Sequence, residues 1–368
     1  MRIVHVVQGL GIGGQERLVV QLSHELAARG HDPAIVSLSP GGRVRAEARG
    51  VPVYDATRSQ GGADPSLLAR LATLFFKLRA DVVHTHNPAP LLHALPAAVV
   101  ARVPRRVHTK HGANHYGRKG LWAARGLVWA LDALVAVSAE TAAIARTKER
   151  VPRGRLHVVP NGIPLAAFGA APAVRARVRA ELGIPLDAFV VGSVGRLAPE
   201  KDYPLLVRAM APLLADRVRL VLVGDGASRA DIARAIPDDK RSLVTLTGER
   251  GDVSALLAGF DLFALSSRTE GLPLAVPEAM ATELPVVATA VGGLPSSVPS
   301  DCGVLVPPGD EAALRECFAA LIHDPERGRS MGRAARRHAL ASFSIDRMTD
   351  AYERLYGGDA EHLAPGEL

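Results

Sequence analysis

Cysteine, aromatic residues and long apolar runs are all scarce in this sequence, and each scarcity narrows the class of protein. Two of the 368 residues are cysteines, and aromatic residues make up 4%. Two cysteines cannot form a disulfide framework or a zinc site by themselves, so a reducing cytoplasm is the simplest setting. No apolar stretch reaches the ~18 residues of a membrane span, and the first residues lack a signal-peptide cleavage pattern. We therefore expect a cytoplasmic protein that does not cross a membrane.

The residues that are abundant form an α/β pattern. Short β-branched runs alternate with helical segments rich in alanine, leucine and arginine, as in parallel βαβ units, and the length fits two domains. A turn-rich break at 160–164 predicts Rossmann-like domains at 1–165 and 166–343, followed by a helix and a frayed tail at 344–368. The predicted strands are 3–7, 34–38, 82–85, 106–109, 133–137 and 156–159 in the first half, and 190–194, 219–223, 244–247, 262–265, 286–288 and 303–306 in the second.

Charge is distributed unevenly between the two halves. Residues 1–165 hold 22 Lys and Arg against 10 Asp and Glu, a net charge of +12, whereas residues 166–368 hold 22 against 27, a net charge of −5. The basic half predicts an anionic partner. Nucleic acid is not expected, because no basic–aromatic RNA motif or recognition helix is present.

The basic character is greatest in residues 102–131, which have seven basic residues and no acidic one. The chain's two tryptophans, Trp122 and Trp129, lie here, seven residues apart and thus on one face of a helix. Basic side chains beside tryptophan suit an anionic membrane surface, so peripheral attachment to the inner face of the cytoplasmic membrane is one expectation. The alternative is that both tryptophans belong to the core and the basic residues are solvated.

A glycine loop follows the first predicted strand. Residues 9–14 match the dinucleotide-binding pattern G-x-G-x-x-G, and Gly13 and Gly14 would allow a ligand to approach the backbone closely. A dinucleotide site requires an acidic residue at the end of the second strand, and residues 35–39 have none. The interpretation of the chain as an NAD-dependent oxidoreductase is therefore weakened. The alternative for the glycine loop itself is a tight strand-to-helix turn that binds no ligand.

Three loops in the second half carry the more specific chemistry. Arg196 and Lys201 follow a strand end and together suit a diphosphate, since arginine offers a fork and lysine a point charge. Glu270 precedes a turn and a helix expected near Leu274, whose first amides would face an anion. Glu278 lies one turn into that helix. The third loop, 247–253, would frame a nucleobase.

In combination these segments resemble the large family 4 of retaining glycosyltransferases, which have the GT-B fold. The resemblance covers about the first 355 residues, and the order of its motifs is more specific than any one of them. It implies two Rossmann-like domains facing across a cleft, with a C-terminal helix that crosses back to the first domain. The similar segments are 195–201, 270–281 and 285–288, with 13–16, 109–112, 137–138 and 160–162 in the same order.

The resemblance implies a role for each matching residue. The catalytic candidates are His111, which would sit at the reacting sugar, with Arg196, Lys201 and Glu270. The donor-binding candidates are Gly13, Gly14, Gly195, Arg250, Gly271, Leu272, Leu274 and Glu278, and the acceptor-side candidates are Gln15, His86 and Asn161. The sequence departs from the family pattern at Glu283, where a glycine is usual, and at Ser296, where a glutamate is common. We expect Glu283 to lie on the helix that follows the Glu270 motif.

The expected reaction is transfer of a sugar, with retention, from a nucleotide diphosphate-sugar to a glycan or lipid-linked acceptor, in polysaccharide or glycolipid synthesis. Uridine diphosphate (UDP) is the commoner carrier and our first choice over guanosine diphosphate. No D-x-D metal motif occurs in the sequence, so the cations and the Glu270 turn would neutralise the leaving diphosphate, without a metal or another cofactor. A non-catalytic nucleotide- or sugar-binding protein of the same fold is the alternative.

Histidines cluster at predicted strand ends, at positions 84, 86, 108 and 111. His84 and His86 project to one side of a strand, which makes a metal site conceivable. The segment has no neighbouring acidic or cysteine ligand, so we favour His86 as a lining residue and His111 as the catalytic one.

Overall fold

The computed structural model describes residues 1–11, 13–57, 64–112 and 116–359. The chain forms two compact units: unit 1 comprises Met1–Gly162 with Ile345–Leu368, and unit 2 comprises Ile163–Ser344. These limits fall at 162/163 and 344/345, against the sequence-based expectations of 165/166 and 343/344.

Unit 1 contains a parallel sheet with the strand order β3-β2-β1-β4-β5-β6-β7 in its described part. The chain runs from β1 through β2 to β3 on one side of the sheet and then crosses to β4 on the other side of β1. The strand order therefore reverses between β1 and β4, which is the usual ligand position. The strands are β1 (Arg2–Val7), β2 (Asp32–Ser37), β3 (Val53–Asp55), β4 (Val82–His86), β5 (Arg105–Lys110), β6 (Ala133–Ala136) and β7 (Leu156–Val158). The helices are α1 (Gly14–Ala28), α2 (Pro65–Lys77), α3 (Pro88–Val100), α4 (Arg118–Leu127) and α5 (Ala139–Ile144), with the tail helix α14 (Ile345–Gly357).

Among the strands of the described residues, β3 is the one that sequence reasoning missed. It has three residues at the edge of the sheet, and all three are at least partly exposed. A short edge strand needs no continuous apolar run, so the sequence carries no signal for it. The other twelve strands lie within two residues of their predicted limits.

Unit 2, which is described throughout, has a parallel sheet in the order β10-β9-β8-β11-β12-β13. Renumbered from its own first strand, this is the 3-2-1-4-5-6 order of nucleotide-binding folds, with the reversal between β8 and β11. The strands are β8 (Phe189–Val194), β9 (Val218–Val223), β10 (Val244–Gly248), β11 (Leu262–Leu265), β12 (Val286–Thr289) and β13 (Gly303–Val306). The helices are α6 (Pro172–Glu181), α7 (Tyr203–Met210), α8 (Arg229–Ala235), α9 (Val253–Ala258), α10 (Ala275–Ala281), α11 (Leu294–Ser297), α12 (Glu311–His323) and α13 (Pro325–Ser342).

The tail helix α14 is bound to unit 1 by charged and buried contacts. Arg29 at the end of α1 pairs with Asp350 at 2.5 Å and Glu353 at 2.8 Å. From the buried face of the helix, the Tyr352 hydroxyl lies 2.9 Å from Thr109 Oγ1 and the Tyr356 hydroxyl lies 2.7 Å from His84 Nδ1. Helix α14 thus completes the core under strands β4 and β5.

Candidate functional site

The loop after β8 brings the predicted diphosphate residues of unit 2 to the point where the strand order reverses. Gly195 continues the strand by donating its amide to Val223 at 2.9 Å. Lys201 places its ammonium 2.5 Å from Glu270 Oε1, although the two residues are 69 positions apart in the chain. Arg196 is 62% exposed and pairs with Glu200 at 2.6 Å. Lys201 is therefore held in place, whereas Arg196 extends towards solvent.

Hydroxyl groups that the sequence did not single out support this pair. Ser267 donates to Glu270 Oε1 at 2.6 Å, so that this oxygen accepts hydrogen bonds from both Lys201 and Ser267. Ser266 donates to the carbonyls of Lys201 and Asp202, at 3.0 and 2.9 Å. These serines follow β11 directly, but serine is so common in loops that no sequence signal marks them.

Glycines allow the loops around the site to pack backbone against backbone. A Cβ atom on Gly292 would clash with the Glu270 carbonyl, and one on Gly224 would clash with the Gly195 carbonyl. Both glycines have positive φ, 55° and 137°, which adds to the requirement for glycine. Gly271 is held by a 2.6 Å hydrogen bond from the amide of Gly293 to its carbonyl. The turn after Glu270 is therefore braced by the loop that follows β12.

Helix α10 begins at Ala275 with Leu274 as its N-cap, as the sequence indicated. The side chains of Leu272 and Leu274 are buried, which leaves only their backbone to face a ligand. Glu278 lies in the first turn of the helix and is half-buried. The helix thus carries Glu278 on the same segment as the Glu270 turn.

Arg250 is already paired with carboxylates. Its guanidinium lies 2.7 Å from Asp252 and 2.6 Å from Glu181, and these hydrogen bonds raise the pKa of the guanidinium above its ordinary value. The structure places Arg250 after β10, two strands from β8 in the sheet. A role at the nucleobase stays a prediction that would require one of these pairs to open.

In unit 1 a second cluster forms around His111, at the carboxyl ends of β4 and β5. The amide of His111 donates to Asn87 Oδ1 at 3.1 Å, and the amide group of Asn87 donates to Gln15 Oε1 in the first turn of α1. Asn87 has a φ of 66°, a backbone conformation that is uncommon in non-glycine residues and that is often found at functional sites. Asn87 thus joins two predicted residues, although no sequence motif identified it.

Beneath His111 lies a chain of buried histidines. His86 Nδ1 is 3.0 Å from His111 Nε2, and His86 Nε2 is 3.1 Å from His5 Nδ1. His5 and His86 are at most 1% exposed. Burial lowers the pKa of His5 to about 3 and that of His86 well below its ordinary value, so both rings are neutral. Because His86 is covered by His111, its contact is with that ring and not with solvent.

The remaining predicted residues of unit 1 are Gly13 and Gly14, which directly precede Gln15 in the chain, and Asn161, which is buried. Gly13 is the N-cap of α1 with an extended backbone, and Gly14 is the first residue of that helix. Asn161 is 6% exposed. The predicted acceptor contacts of Gln15 and Asn161 stay predictions.

The two tryptophans are on the surface, so the interpretation that they belong to the core is wrong. Trp122 is 70% exposed and Trp129 is 64% exposed. They do not share one α-helix: Trp122 lies on α4, whereas Trp129 lies in the 3₁₀ turn Val128–Ala130 that follows. The guanidinium carbon of Arg125 lies 5.5 Å from the ring centre of Trp122, and that of Arg155 lies 5.9 Å from the ring centre of Trp129.

Glu283, one of the two departures from the family pattern, is not on a helix as the sequence suggested. It follows the end of α10 with a φ of 63°, a left-handed conformation that favours glycine. The usual glycine at this position therefore has a conformational reason. Ser296, the other departure, donates to the carbonyl of Gly293 at 3.1 Å.

Both units are doubly wound α/β structures with their polar groups at the strand-order reversal, the architecture of nucleotide-sugar-binding proteins of the GT-B fold. Residues 188–324 match the family model "Glycosyl transferases group 1", and residues 12–167 match "Glycosyltransferase Family 4". The chain belongs to this family of glycosyltransferases.

Relatives and solved structures agree with this assignment. The chain is 30% identical to D-inositol 3-phosphate glycosyltransferase of Kineococcus radiotolerans, over 88% of this chain and 86% of the relative. It is 29% identical to UDP-Gal:alpha-D-GlcNAc-diphosphoundecaprenol alpha-1,3-galactosyltransferase of Escherichia coli, over 80% and 79%. The crystal structure of Anabaena HepE with UDP and glucose has the same fold, with a TM-score of 0.86, 22% identity and coverage of 97% and 99%.

Within the described ranges, no helix is both long and apolar enough to span a bilayer.

Proposed function

We propose that the protein is a retaining, metal-independent glycosyltransferase that moves a sugar from a nucleotide diphosphate to a glycan or lipid-linked acceptor. The observation that carries this proposal is the Lys201–Glu270 contact of 2.5 Å beside the exposed Arg196. It joins a diphosphate-binding loop to the predicted sugar-binding turn at the reversal point of the sheet. Retention of configuration is supported by family membership.

Transfer breaks the bond between the sugar and the diphosphate, so negative charge builds on the leaving phosphate oxygens. Cations that are already in position stabilise that charge most effectively, since they need no reorganisation during the reaction. Lys201 is fixed by Glu270, and Arg196 is exposed enough to fold onto a phosphate. We assign both to the diphosphate, and these two cations take the place of a metal ion.

The remaining contacts of the donor follow from the same segment. Glu270 would accept hydrogen bonds from sugar hydroxyls and Glu278 from the ribose, with the backbone of 271–275 facing the phosphates. In unit 1, His111 would contact the transferred sugar. UDP is the preferred carrier, and the UDP-bound structures of the same fold support it.

The exposed tryptophans support a lipid-linked acceptor at an anionic membrane surface. Trp122 and Trp129 are each covered by an arginine, and Arg118 and Lys119 begin α4, the helix that carries Trp122. An amphipathic indole beside basic groups suits the boundary between lipid headgroups and acyl chains. The name of the E. coli relative, which acts on a diphosphoundecaprenol-linked sugar, agrees with this choice.

The donor is tested by screening a panel of UDP- and GDP-sugars for thermal stabilisation and for nucleotide release with and without EDTA. We expect one UDP-sugar to stabilise the protein and to release UDP at the same rate in EDTA. Loss of activity in EDTA would contradict metal independence. Magnetic resonance of the product would show an inverted anomeric centre if retention is wrong.

Membrane attachment is tested by sedimentation with vesicles of phosphatidylglycerol and, separately, of phosphatidylcholine. We expect binding to the anionic vesicles alone, and loss of binding in the double variant Trp122→Ala/Trp129→Ala. Phe76→Ala is the matched control, because Phe76 is 75% exposed but lies on α2, outside the basic segment. Equal loss in both variants, or no binding by the unchanged protein, would contradict the proposal.

A further inference from the structure

The histidine chain of unit 1 contains more than the proposed transfer requires. His111, His86 and His5 are joined by two hydrogen bonds that run from the half-buried end of β5 into the centre of the sheet. His5 is completely buried, and its Nε2 atom has no hydrogen-bond partner within the described residues. An unpartnered polar atom in a core is costly, so this ring requires an explanation.

A count of the protons shows how the His5 ring is linked to His111. A neutral imidazole carries a single N–H, and burial lowers the pKa of all three rings, to about 3 for His5 and His111. Each of the two hydrogen bonds therefore needs one donor and one acceptor. If His111 donates from Nε2, His86 must donate from Nε2 and His5 must hold its proton on Nε2. If His5 donates from Nδ1, His86 and His111 must also hold theirs on Nδ1.

Only these two proton arrangements keep both hydrogen bonds, and in each the three rings have the same tautomer. The proton of His111 is thus tied to that of His5, two rings away. His111 Nδ1 is an acceptor in one arrangement and a donor in the other. Which nitrogen of an imidazole carries the proton is set by the hydrogen bond that the other nitrogen makes.

A metal site is the competing explanation, because ligand atoms of His5, His84 and His86 lie within 4.8 Å of one another. His84, however, uses both ring nitrogens: Nδ1 lies 2.7 Å from the Tyr356 hydroxyl, and Nε2 lies 2.7 Å from Thr109 Oγ1. A metal would have to break one of these buried hydrogen bonds. The hydrogen-bonded chain needs no such change.

We propose that His86 and His5 form a relay of two hydrogen bonds that couples the tautomer of His111 to that of His5, which makes both of them positioning residues for glycosyl transfer. The proposal rests on the proposed contact of His111 with the transferred sugar. A sugar hydroxyl that donates to His111 Nδ1 selects the arrangement with all protons on Nε2, and an oxygen that accepts selects the other.

The first test reads the tautomers directly in the full-length protein. Two-bond proton–nitrogen spectra of protein labelled with ¹⁵N-histidine separate Nδ1–H from Nε2–H rings, and single histidine variants assign the signals. We expect His5, His86 and His111 to share one tautomer. A mixed set, with His86 differing from either neighbour, would overturn the relay whatever the activity.

The second test removes the far end of the relay. In His5→Phe, His86 loses the partner of its Nε2 atom, so the ratio of the two His111 tautomers should change and kcat should fall about tenfold, with little change in the donor KM. Should this variant not fold, His5→Gln replaces it, because an amide bonds His86 without imposing a tautomer. An unchanged tautomer and an unchanged kcat would overturn the proposal.

His108→Phe is the matched control. His108 is equally buried, its pKa is also lowered to about 3, its Nδ1 bonds to Thr85 at 2.9 Å, and its Nε2 has no described partner, but it is outside the relay. We expect kcat within twofold of the unchanged protein. An equal loss in the two phenylalanine variants would mean that His5 acts only through packing.

Failure of the proposed function would look different. If no nucleotide sugar is used, or if His111→Ala transfers sugar normally, the role of His111 is wrong. The tautomer spectrum would still decide whether the relay exists.

Discussion

The two units share the 3-2-1-4-5-6 strand order, to which unit 1 adds a seventh strand, but they have different chemistry at the point where that order reverses. In unit 1 the polar groups are neutral histidines, buried and joined ring to ring. In unit 2 they are charged residues, with Lys201 against Glu270 and Arg196 exposed. Neutral buried rings suit the orientation of an uncharged sugar, whereas exposed cations suit an anionic diphosphate. Two sheets with the same strand-order reversal thus carry different side chains at their strand ends, which suit different ligands.

The largest expected difference between the units is in their stability at acidic pH. The pKa of His5 and of His108 falls from 6.5 to about 3 on burial, so below pH 6.5 the unfolded chain binds protons that the folded unit refuses. The contribution of these two rings to the stability of unit 1 is therefore complete above pH 6.5 and is lost as the pH falls towards 3. At pH 5 the loss is about 2 kcal/mol for each of these two rings.

Hydrogen exchange measured by mass spectrometry at pH 7 and pH 5 would separate the units, since each yields its own peptides. Unit 2 has two histidines, His323 and His338, and should lose less protection. Equal loss in both units, after correction for the intrinsic pH dependence of exchange, would contradict the contrast between them.

The next effect is on catalysis in unit 2. Lys201→Ala should lower the transfer rate by about 10²–10³, because one preorganised charge contact to the leaving group is lost. It should also weaken UDP binding in a calorimetric titration. Lys240→Ala is the control. Lys240 lies just before β10, at the amino end of that strand, whereas the site lies at the carboxyl ends of the parallel strands. Unchanged transfer by Lys201→Ala would overturn the diphosphate assignment.

A smaller effect is expected where the loops of unit 2 meet. Gly292→Ala would push the Glu270 carbonyl, and we expect a loss of about 2 kcal/mol in the free energy of unfolding. Gly309→Ala provides the comparison. Gly309 also has positive φ, but a Cβ atom added there would have no neighbouring atom within 4 Å. Denaturant titration measures both. Equal losses would show that the backbone angle, and not the contact, is what matters.

The smallest effect should be a gain. Glu283→Gly would relieve the left-handed backbone at the end of α10 and stabilise unit 2 by about 1 kcal/mol. Glu283→Gln keeps that backbone but removes the charge 3.6 Å from Arg336. A gain in the glutamine variant as well would point to charge instead of strain.

The sequence predicted the architecture well because the buried strands of a parallel sheet are continuous apolar runs. It missed β3, which is short and at an edge, and it placed Glu283 on a helix because a glutamate gives no sign of a left-handed turn. The order of motifs identified the family and suggested Lys201 and Glu270 as site residues. It gave no reason to single out Asn87, Ser266 or His5.

By itself, then, the sequence determined the two α/β domains, the family and the residue types available for a diphosphate. Only the tertiary structure decided which of them meet. It placed Lys201 against Glu270, exposed both tryptophans and lined up His5, His86 and His111. The physical reason is that apolar periodicity is local along the chain, whereas each of these contacts joins residues from different strands or loops. Their distances are set by how the strands are ordered in the sheet.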